Sequence, residues 1–314
     1  MKAVITGGAG FIGGHLAERL VSEGLDVHVI DDFSSGFRSN LGRVESKLTL
    51  HSGSILDGDL LSRAMDGAGA VFHLAAIASV PQCTEHPVES HHVNVTGMVL
   101  VLEQARKNRS RVVFSSSSAI YGDGPEPVKT EDLKPRPLTP YAIHKLAGEH
   151  YLQSYCRLHD LEGFALRYFN VFGKRQNPNS DYAAVIPKFF QRALNHQNLT
   201  VFGTGEQTRD FVHVHDVVHA NFLAMTAADA DGSAMNIGLG VRTDLITLGR
   251  AIIAATGNEV DIDFAPARAG DILHSCCDPS LARTRLRWEA NYTLESGLSE
   301  YLSESHPGRS AQEA

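Results

Sequence analysis

Short apolar runs and helix-spaced stretches alternate along the first half of the chain. Residues 2–5 form an apolar run, and 7–14 are glycine-rich. Apolar positions then return at helical spacing over 15–23, with Leu16, Leu20 and Val21 on one face and Gly24 closing the stretch. Further apolar runs at 27–30, 48–51, 70–74, 111–114 and 163–167 predict strands. Helices are predicted at 60–65, 93–107 and 141–159. The second follows from the recurrence of Val95, Val99, Leu102 and Ala105. This order predicts an α/β fold, a Rossmann-type doubly wound parallel sheet with helices on both faces. The strands read as continuous apolar runs, as expected when both faces are buried.

Beyond residue 168 the pattern turns irregular, with polar loops at 177–181 and 203–207. We therefore expect two lobes. The sheet domain would comprise 1–167 plus about 212–237, and a smaller α/β substrate lobe about 168–211 and 238–302. Residues 303–314 are expected to be a disordered tail.

Composition changes this picture little. The 314 residues are 43% hydrophobic and 20% charged, with a net charge of -8. No Lys/Arg-rich block is present, which argues against nucleic acid or an anionic membrane as partner. No apolar run approaches the roughly 18 residues of a membrane span. The opening MKAVITGGAG runs from a short apolar stretch straight into glycines, so it reads as a strand rather than a signal peptide. The four cysteines, Cys83, Cys156, Cys276 and Cys277, form no C-x-x-C pair, which suits a reduced, cytoplasmic setting.

Two patterns carry chemistry. The segment ITGGAGFIGGHL sets Gly7, Gly10 and Gly13 at G-x-x-G-x-x-G spacing between a strand and a helix. Such a turn is tight, lets backbone approach a pyrophosphate, and aims a helix N-terminus at it. Asp31 ends the next strand, placed to bond a ribose 2′-hydroxyl and to repel a 2′-phosphate. NAD is therefore favoured over NADP. The second pattern is PYAIHK, with Tyr141 and Lys145 four apart at the start of a helix and so on one face. An ammonium beside a phenol favours the phenolate and lowers its pKa from about 10. Such a tyrosine can take a proton from an alcohol while hydride leaves the carbon. His213, His215 and His219 in HVHDVVH do not read as a metal site. The first two alternate as on a strand, and Asp216 reads as a helix N-cap. His73 and the Cys276-Cys277 pair read as structural.

Together these residues resemble the extended short-chain dehydrogenase/reductase superfamily, within it the NAD-dependent epimerase/dehydratase group. The resemblance spans residues 1 to about 302 and is nearest to the UDP-hexose 4-epimerases, especially those acting on N-acetylated sugars. It rests further on HLAAIASV (73–80), HVNVTG (92–97), LRYFNVFGKRQNPNSDYAAVIPKF (166–189), TRDFVHVHDV (208–217) and RAGDILHS (268–275). For the cofactor the resemblance implies Phe11, Ile12, Asp32, Ser35, Gly36, Leu74, Ala75, Ala76, Ala78, Asn94 and Tyr168, besides the glycines, Asp31, Tyr141 and Lys145. Ser54 and Ile55 stand where the family often has an Asp-Ile or Asp-Val at the adenine. For the substrate it implies Ser79, Lys188, Asn170 at the sugar diphosphate, Ala184 and Val185 at the uridine, and Phe202 on the base. Arg209 and Arg268 would neutralise the pyrophosphate, and Asp271 would bond the ribose.

The run FSSSSAIYG (114–122) carries the remaining distinction. Counting back four from Tyr121 gives Ser117 as the third catalytic residue, with Ser118 also near the sugar. The run leaves open which of the two is closer. The related 4,6-dehydratases have Asp-Glu where this chain has Ser118 and Ala119, so the acid and base for dehydration are missing. Ser275 stands where glucose-restricted relatives tend to have tyrosine, leaving room for an N-acetyl group. The resemblance thus implies C4 epimerisation of UDP-GlcNAc/UDP-GalNAc, with UDP-Glc/UDP-Gal as a second activity, through a transient 4-keto sugar. A UDP-uronate 4-epimerase or a dehydratase or decarboxylase of the same group is the alternative. It also implies a homodimer formed through helices 93–107 and 141–159, and Leu146, His150 and Leu158 read either as part of that contact or as ordinary core or surface.

Overall fold

The computed structural model describes residues 1–176, 184–267 and 273–305, with backbone alone at 304 and 305. Strand β1 (Lys2–Thr6) leads through the glycine turn into α1 (Phe11–Ser22). Then follow β2 (Asp26–Asp31), β3 (Leu48–Ser52), α2 (Gly58–Met65), β4 (Ala70–His73), α3 (Val80–Glu85), α4 (Pro87–His91) and α5 (Gly97–Asn108). After these come β5 (Arg111–Ser117), α6 (Pro140–His159), β6 (Gly163–Tyr168), β7 (Asn170–Phe172), α7 (Val185–Leu194), β8 (Leu199–Phe202) and β9 (Thr208–Arg209). The chain closes with β10 (Phe211–His213), α8 (Val214–Thr226), β11 (Asp231–Ile237), β12 (Thr243–Asp244), α9 (Leu245–Thr256), β13 (Ile262–Ala265), β14 (His274–Ser275), α10 (Ser280–Leu286) and α11 (Leu294–Ser305).

Local chemistry sets several of the helix starts. The Asp57 carboxylate accepts the N–H groups of Asp59 and Leu60 and caps α2. Thr139 accepts the Ala142 N–H, and Pro140 occupies the first position of α6, where a missing N–H costs nothing. Asp244 caps α9, and Gly257 closes it in the left-handed region.

Seven strands form one parallel sheet in the order β11-β6-β5-β4-β1-β2-β3. The order reverses between β1 and β4, so a crevice opens at the carboxyl ends of those two strands. Ala3 and Ile5 pack with Leu16, Leu20, Val217 and Phe164 on one face of the sheet. Val4 and Ile30 pack with Leu61, Met98, Leu102 and Leu152 on the other. A separate apolar cluster joins Phe189, Phe190, Leu248, Ile252, Leu298 and Tyr301 from α7, α9 and α11.

Some sequence expectations need correction. The strand expected to stop at Phe114 continues through Ser117, paired to β6 along its whole extension. The helix expected from Val93 is preceded by α3, α4 and a π-helical turn at His92–Thr96. Asp216 lies in the first turn of α8 rather than at its cap. Its buried carboxylate accepts the N–H groups of Asn291 and Tyr292 and so holds the C-terminal segment. His213 ends a strand, but His215 is already helical. Residues 303–305, expected in the tail, belong to α11.

Candidate active site

The cofactor cradle is built from backbone. Gly7 has φ +71°, and a Cβ there would sit 2.7 Å from the Ala75 nitrogen. A Cβ on Gly13 would lie 2.2 Å from the Gly7 carbonyl oxygen. The turn is therefore pressed against both the start of α1 and the segment after β4, and only glycine fits. Gly10 precedes α1 without a side-chain cap, and no acidic residue lies in the first turn. The helix N-terminus is thus left to an anionic ligand, which fits a dinucleotide pyrophosphate. Phe11 and Ile12 begin that helix, with Ile12 packed on the core.

Asp31, at the end of β2, accepts the N–H groups of Ala9 and Phe33 at 2.8 Å each. Burial raises its pKa, and these two bonds oppose the rise. Asp31 therefore braces the glycine turn. Gly36 packs on Ala9 and on Asp31, closer than any side chain would allow. Neighbouring Asp32 accepts the Ser34 N–H and hydroxyl, and Ser35 lies in the same exposed turn.

Leu74, Ala75, Ala76 and Ala78 follow β4 and are partly or fully exposed along the crevice. Asn94 is set on the π-helical turn. Its amide accepts the Ile77 N–H at 2.8 Å and donates to the Ile77 carbonyl at 3.0 Å. It acts by fixing that segment rather than by presenting a free amide. Ser79 caps α3 through the Gln82 N–H. Ser54 accepts the Leu56 N–H, while Ile55 is buried and packs on Gly97, so its side chain faces the core. Tyr168 is also a core residue, its hydroxyl bonded to Asn221.

The catalytic candidates meet where β5 ends beside α6. The Ser117 hydroxyl accepts the Ala119 N–H at 3.2 Å and stands close enough to the Tyr141 phenol to act on its pKa. Ser118 starts the 3₁₀ turn that leads to Tyr121. Lys145 is buried one turn below Tyr141 and donates to the Ser115 carbonyl at 2.6 Å. Its nitrogen is 5.8 Å from the Tyr141 ring centre and 5.1 Å from that of Phe114. Burial lowers the Lys145 pKa to about 8, opposed by Cys83 and Glu149. Burial raises the Tyr141 pKa, and Ser117 opposes this. The lowering expected from Lys145 is not what governs the phenol here, because desolvation is the largest influence on it.

Among the residues expected at the substrate, Asn170 begins β7, and both its backbone and side-chain N–H groups donate to the Asp210 carbonyl. Arg209 of β9 is in register with Ser275 of β14 and Thr243 of β12. Arg209 donates to the Thr208 carbonyl at 2.9 Å. Phe202 ends β8, while Ala184, Val185 and Lys188 mark the first turn of α7. Arg268 and Asp271 lie outside the described residues.

Sequence reasoning missed several groups. Asp210 is fully buried and accepts the N–H groups of Leu239, Gly240 and Cys277 and the Cys277 thiol. It thereby ties the end of β11 to the Ser275 segment. Burial raises its pKa, and these bonds oppose the rise. Cys83 is buried close enough to Lys145 and Tyr141 to act on both electrostatically. Glu149 was findable, because it continues the Tyr141–Lys145 spacing by one more turn. Of the expected dimer residues, Leu146 packs inward with Tyr121 and Phe169, whereas His150 and Leu158 are exposed. Among the described residues, no cluster is arranged to hold a metal ion, and no helix is long and apolar enough to cross a membrane.

Comparison with known proteins adds to this geometry. A sequence model of the NAD dependent epimerase/dehydratase family matches residues 3–238. The UDP-glucose 4-epimerase of Mycolicibacterium smegmatis is 37% identical over 303 residues, covering 95% of this chain and 96% of that one. The crystal structure of a Thermotoga maritima UDP-glucose 4-epimerase with UDP-glucose superposes with TM-score 0.92 at 37% identity, covering 96% of this chain and 98% of that one. A UDP-N-acetylglucosamine 4-epimerase from Methanobrevibacter ruminantium, in complex with UDP-N-acetylmuramic acid, gives TM-score 0.92 at 35% identity, covering 96% and 97%.

Proposed function

Because the chain belongs to the NAD-dependent epimerase/dehydratase family, we propose that it interconverts C4 epimers of a UDP-sugar, with an N-acetylhexosamine as the preferred sugar. The observation that carries the reading is the meeting of Ser117, Tyr141 and Lys145 at the carboxyl end of β5. The relatives' activities support it at the level of UDP-sugar 4-epimerisation.

NAD, when bound in the glycine cradle, supplies a reversible hydride acceptor. Tyr141, as the phenolate that the Lys145 ammonium and an oxidised nicotinamide would favour, takes the proton of the sugar 4′-hydroxyl and returns it after the 4-keto sugar has turned over. Ser117, beside that phenol, holds the 4′-oxygen and steadies the proton as it passes. Lys145, fixed on the Ser115 carbonyl, keeps a positive charge beneath the phenol. Asn170 and Arg209 hold the diphosphate, with Arg268 and Asp271 as further proposed contacts. Firm anchoring there and looser sugar contacts would let the keto sugar rotate without leaving. Ser118 and Ala119 offer no carboxyl pair for dehydration, which argues against a dehydratase.

Ser275 is the specificity residue in this reading. Ser275→Tyr is expected to lower kcat/KM for UDP-GlcNAc by at least about tenfold while sparing UDP-Glc, a loss typical of one added steric clash. Separate incubations with UDP-GlcNAc, UDP-Glc and UDP-GlcA, resolving the C4 epimers, test the whole proposal. Turnover of none of the three would refute it. A cytoplasmic homodimer, with Ile143, Tyr151 and Leu158 exposed along α6, belongs to the same proposal.

A further inference from the structure

A buried ionic row crosses the sheet directly behind the Tyr141–Lys145 pair. Ser116, Arg167 and Asn236 are register partners on β5, β6 and β11, so their side chains share one face. Glu149, one turn beyond Lys145 on α6, lies over that row. It takes both ends of the Arg167 guanidinium, at 2.9 and 2.7 Å, and also the Ser116 hydroxyl. The pair is almost fully buried, with side-chain exposures of 6% for Arg167 and 1% for Glu149. The third arm of Arg167 donates to the Tyr121 hydroxyl at 2.8 Å, and Tyr121 donates to Asn236 at 2.7 Å. Asn236 then donates to the Lys129 carbonyl at 2.9 Å. Lys129 pairs through its backbone with Cys276 and Asp278, next to Ser275.

A buried ion pair is a costly way to hold a fold, because two charges must be desolvated. Hydrophobic residues could fill this space at less cost. What they could not do is fix one register of α6 on β5 and put a carboxylate beside Lys145. The geometry points to Glu149 and Arg167 as positioning residues that set the Tyr141–Lys145 helix against the serine strand and hold the Lys145 charge. This rests on reading Tyr141 and Lys145 as the proton-transfer pair.

The three serines of β5 divide the task. The Ser115 carbonyl holds Lys145, Ser116 holds Glu149, and Ser117 stands beside Tyr141. The groups facing Lys145 are Tyr141, His144 and Glu149 on α6, Cys83 on α3 and His73 on β4. Burial lowers the pKa of both histidines and raises that of the thiol. Cys83 and Glu149 favour the ammonium, and Glu149 is the carboxylate in that set.

The test uses NAD-loaded enzyme and the double variant Glu149→Gln with Arg167→Met, which leaves neither charge unpaired. The Lys145 ammonium, followed by NMR of lysine-15N-labelled protein, should titrate about one pH unit or more below the parent, a tenfold shift in its equilibrium. A folded double variant whose Lys145 titrates with the parent overturns the inference. Ser116→Ala, a smaller change, should lower kcat about fivefold with KM unchanged, as loss of one hydrogen bond implies. An unchanged kcat also overturns it, even if the double variant does not fold. The titration needs no substrate, so it decides the inference separately from the proposed activity.

Discussion

Tyr141 shows how far residue-level reasoning reaches. The i, i+4 pair with Lys145 could be read from the sequence, and the structure keeps the two on one helix face. What the spacing could not give is the balance of influences on the phenol. Burial dominates and raises its pKa, while Ser117 opposes the rise. Replacement by Phe removes the proposed proton carrier and leaves the ring's packing in place. Tyr141→Phe should therefore lower turnover by about 10²–10⁴-fold, the usual contribution of a general acid–base group. NAD content of the purified protein should be unchanged, as read from the cofactor released on denaturation. Full activity in the variant would remove Tyr141 as the base.

Elements were legible wherever polarity and secondary structure agreed, and misread where they did not. The β5 strand was expected to end at Phe114 because serines follow. Backbone pairing does not require apolar side chains, and Ser115, Ser116 and Ser117 pair with Leu166, Arg167 and Tyr168. The Ser116 hydroxyl is tolerated because Glu149 accepts it, and the Ser117 hydroxyl because it accepts the Ala119 N–H. The start of the helix expected at Val93 was obscured in a similar way, since its π-helical turn breaks the apolar period where Asn94 grips Ile77. Where local chemistry alone sets an end, the expectation is simple. Asp57→Ala removes the cap of α2 and should cost about 1 kcal/mol of unfolding free energy, measured by urea denaturation.

At the scale of the whole molecule, buried histidines link the fold to pH. Burial lowers the pKa of His15, His73 and His213 to about 3 from an ordinary 6.5. Each stays neutral when folded but charges when unfolded once the pH falls below 6.5. The unfolded state then binds more protons, so the stability each group contributes is intact above pH 6.5 and is lost progressively toward pH 3. Each contributes a slope of up to about 1.4 kcal/mol per pH unit. His213→Phe should consequently lose less stability than the parent between pH 7 and pH 5 in denaturant titrations. Equal slopes would show that His213 is not buried as a neutral ring. The comparison isolates one histidine from Asp31, Asp210 and Asp216, whose raised pKa values act in the opposite sense.

The sequence by itself determined the alternation of strands and helices over the first half of the chain, the glycine turn and the Tyr141–Lys145 spacing. These are local, since each rests on periodicity or on residues a few positions apart. Tertiary structure alone decided which distant groups complete them. Ser116, Arg167 and Asn236 form a row only because the strand registers align them, and Glu149 meets that row only because α6 lies across it. Asp210 finds Leu239 and Cys277 from positions 29 and 67 residues away. No local pattern encodes such contacts. They arise when continuous apolar strands are buried as one sheet, which brings a few polar side chains into a low-dielectric core where each must find its partner.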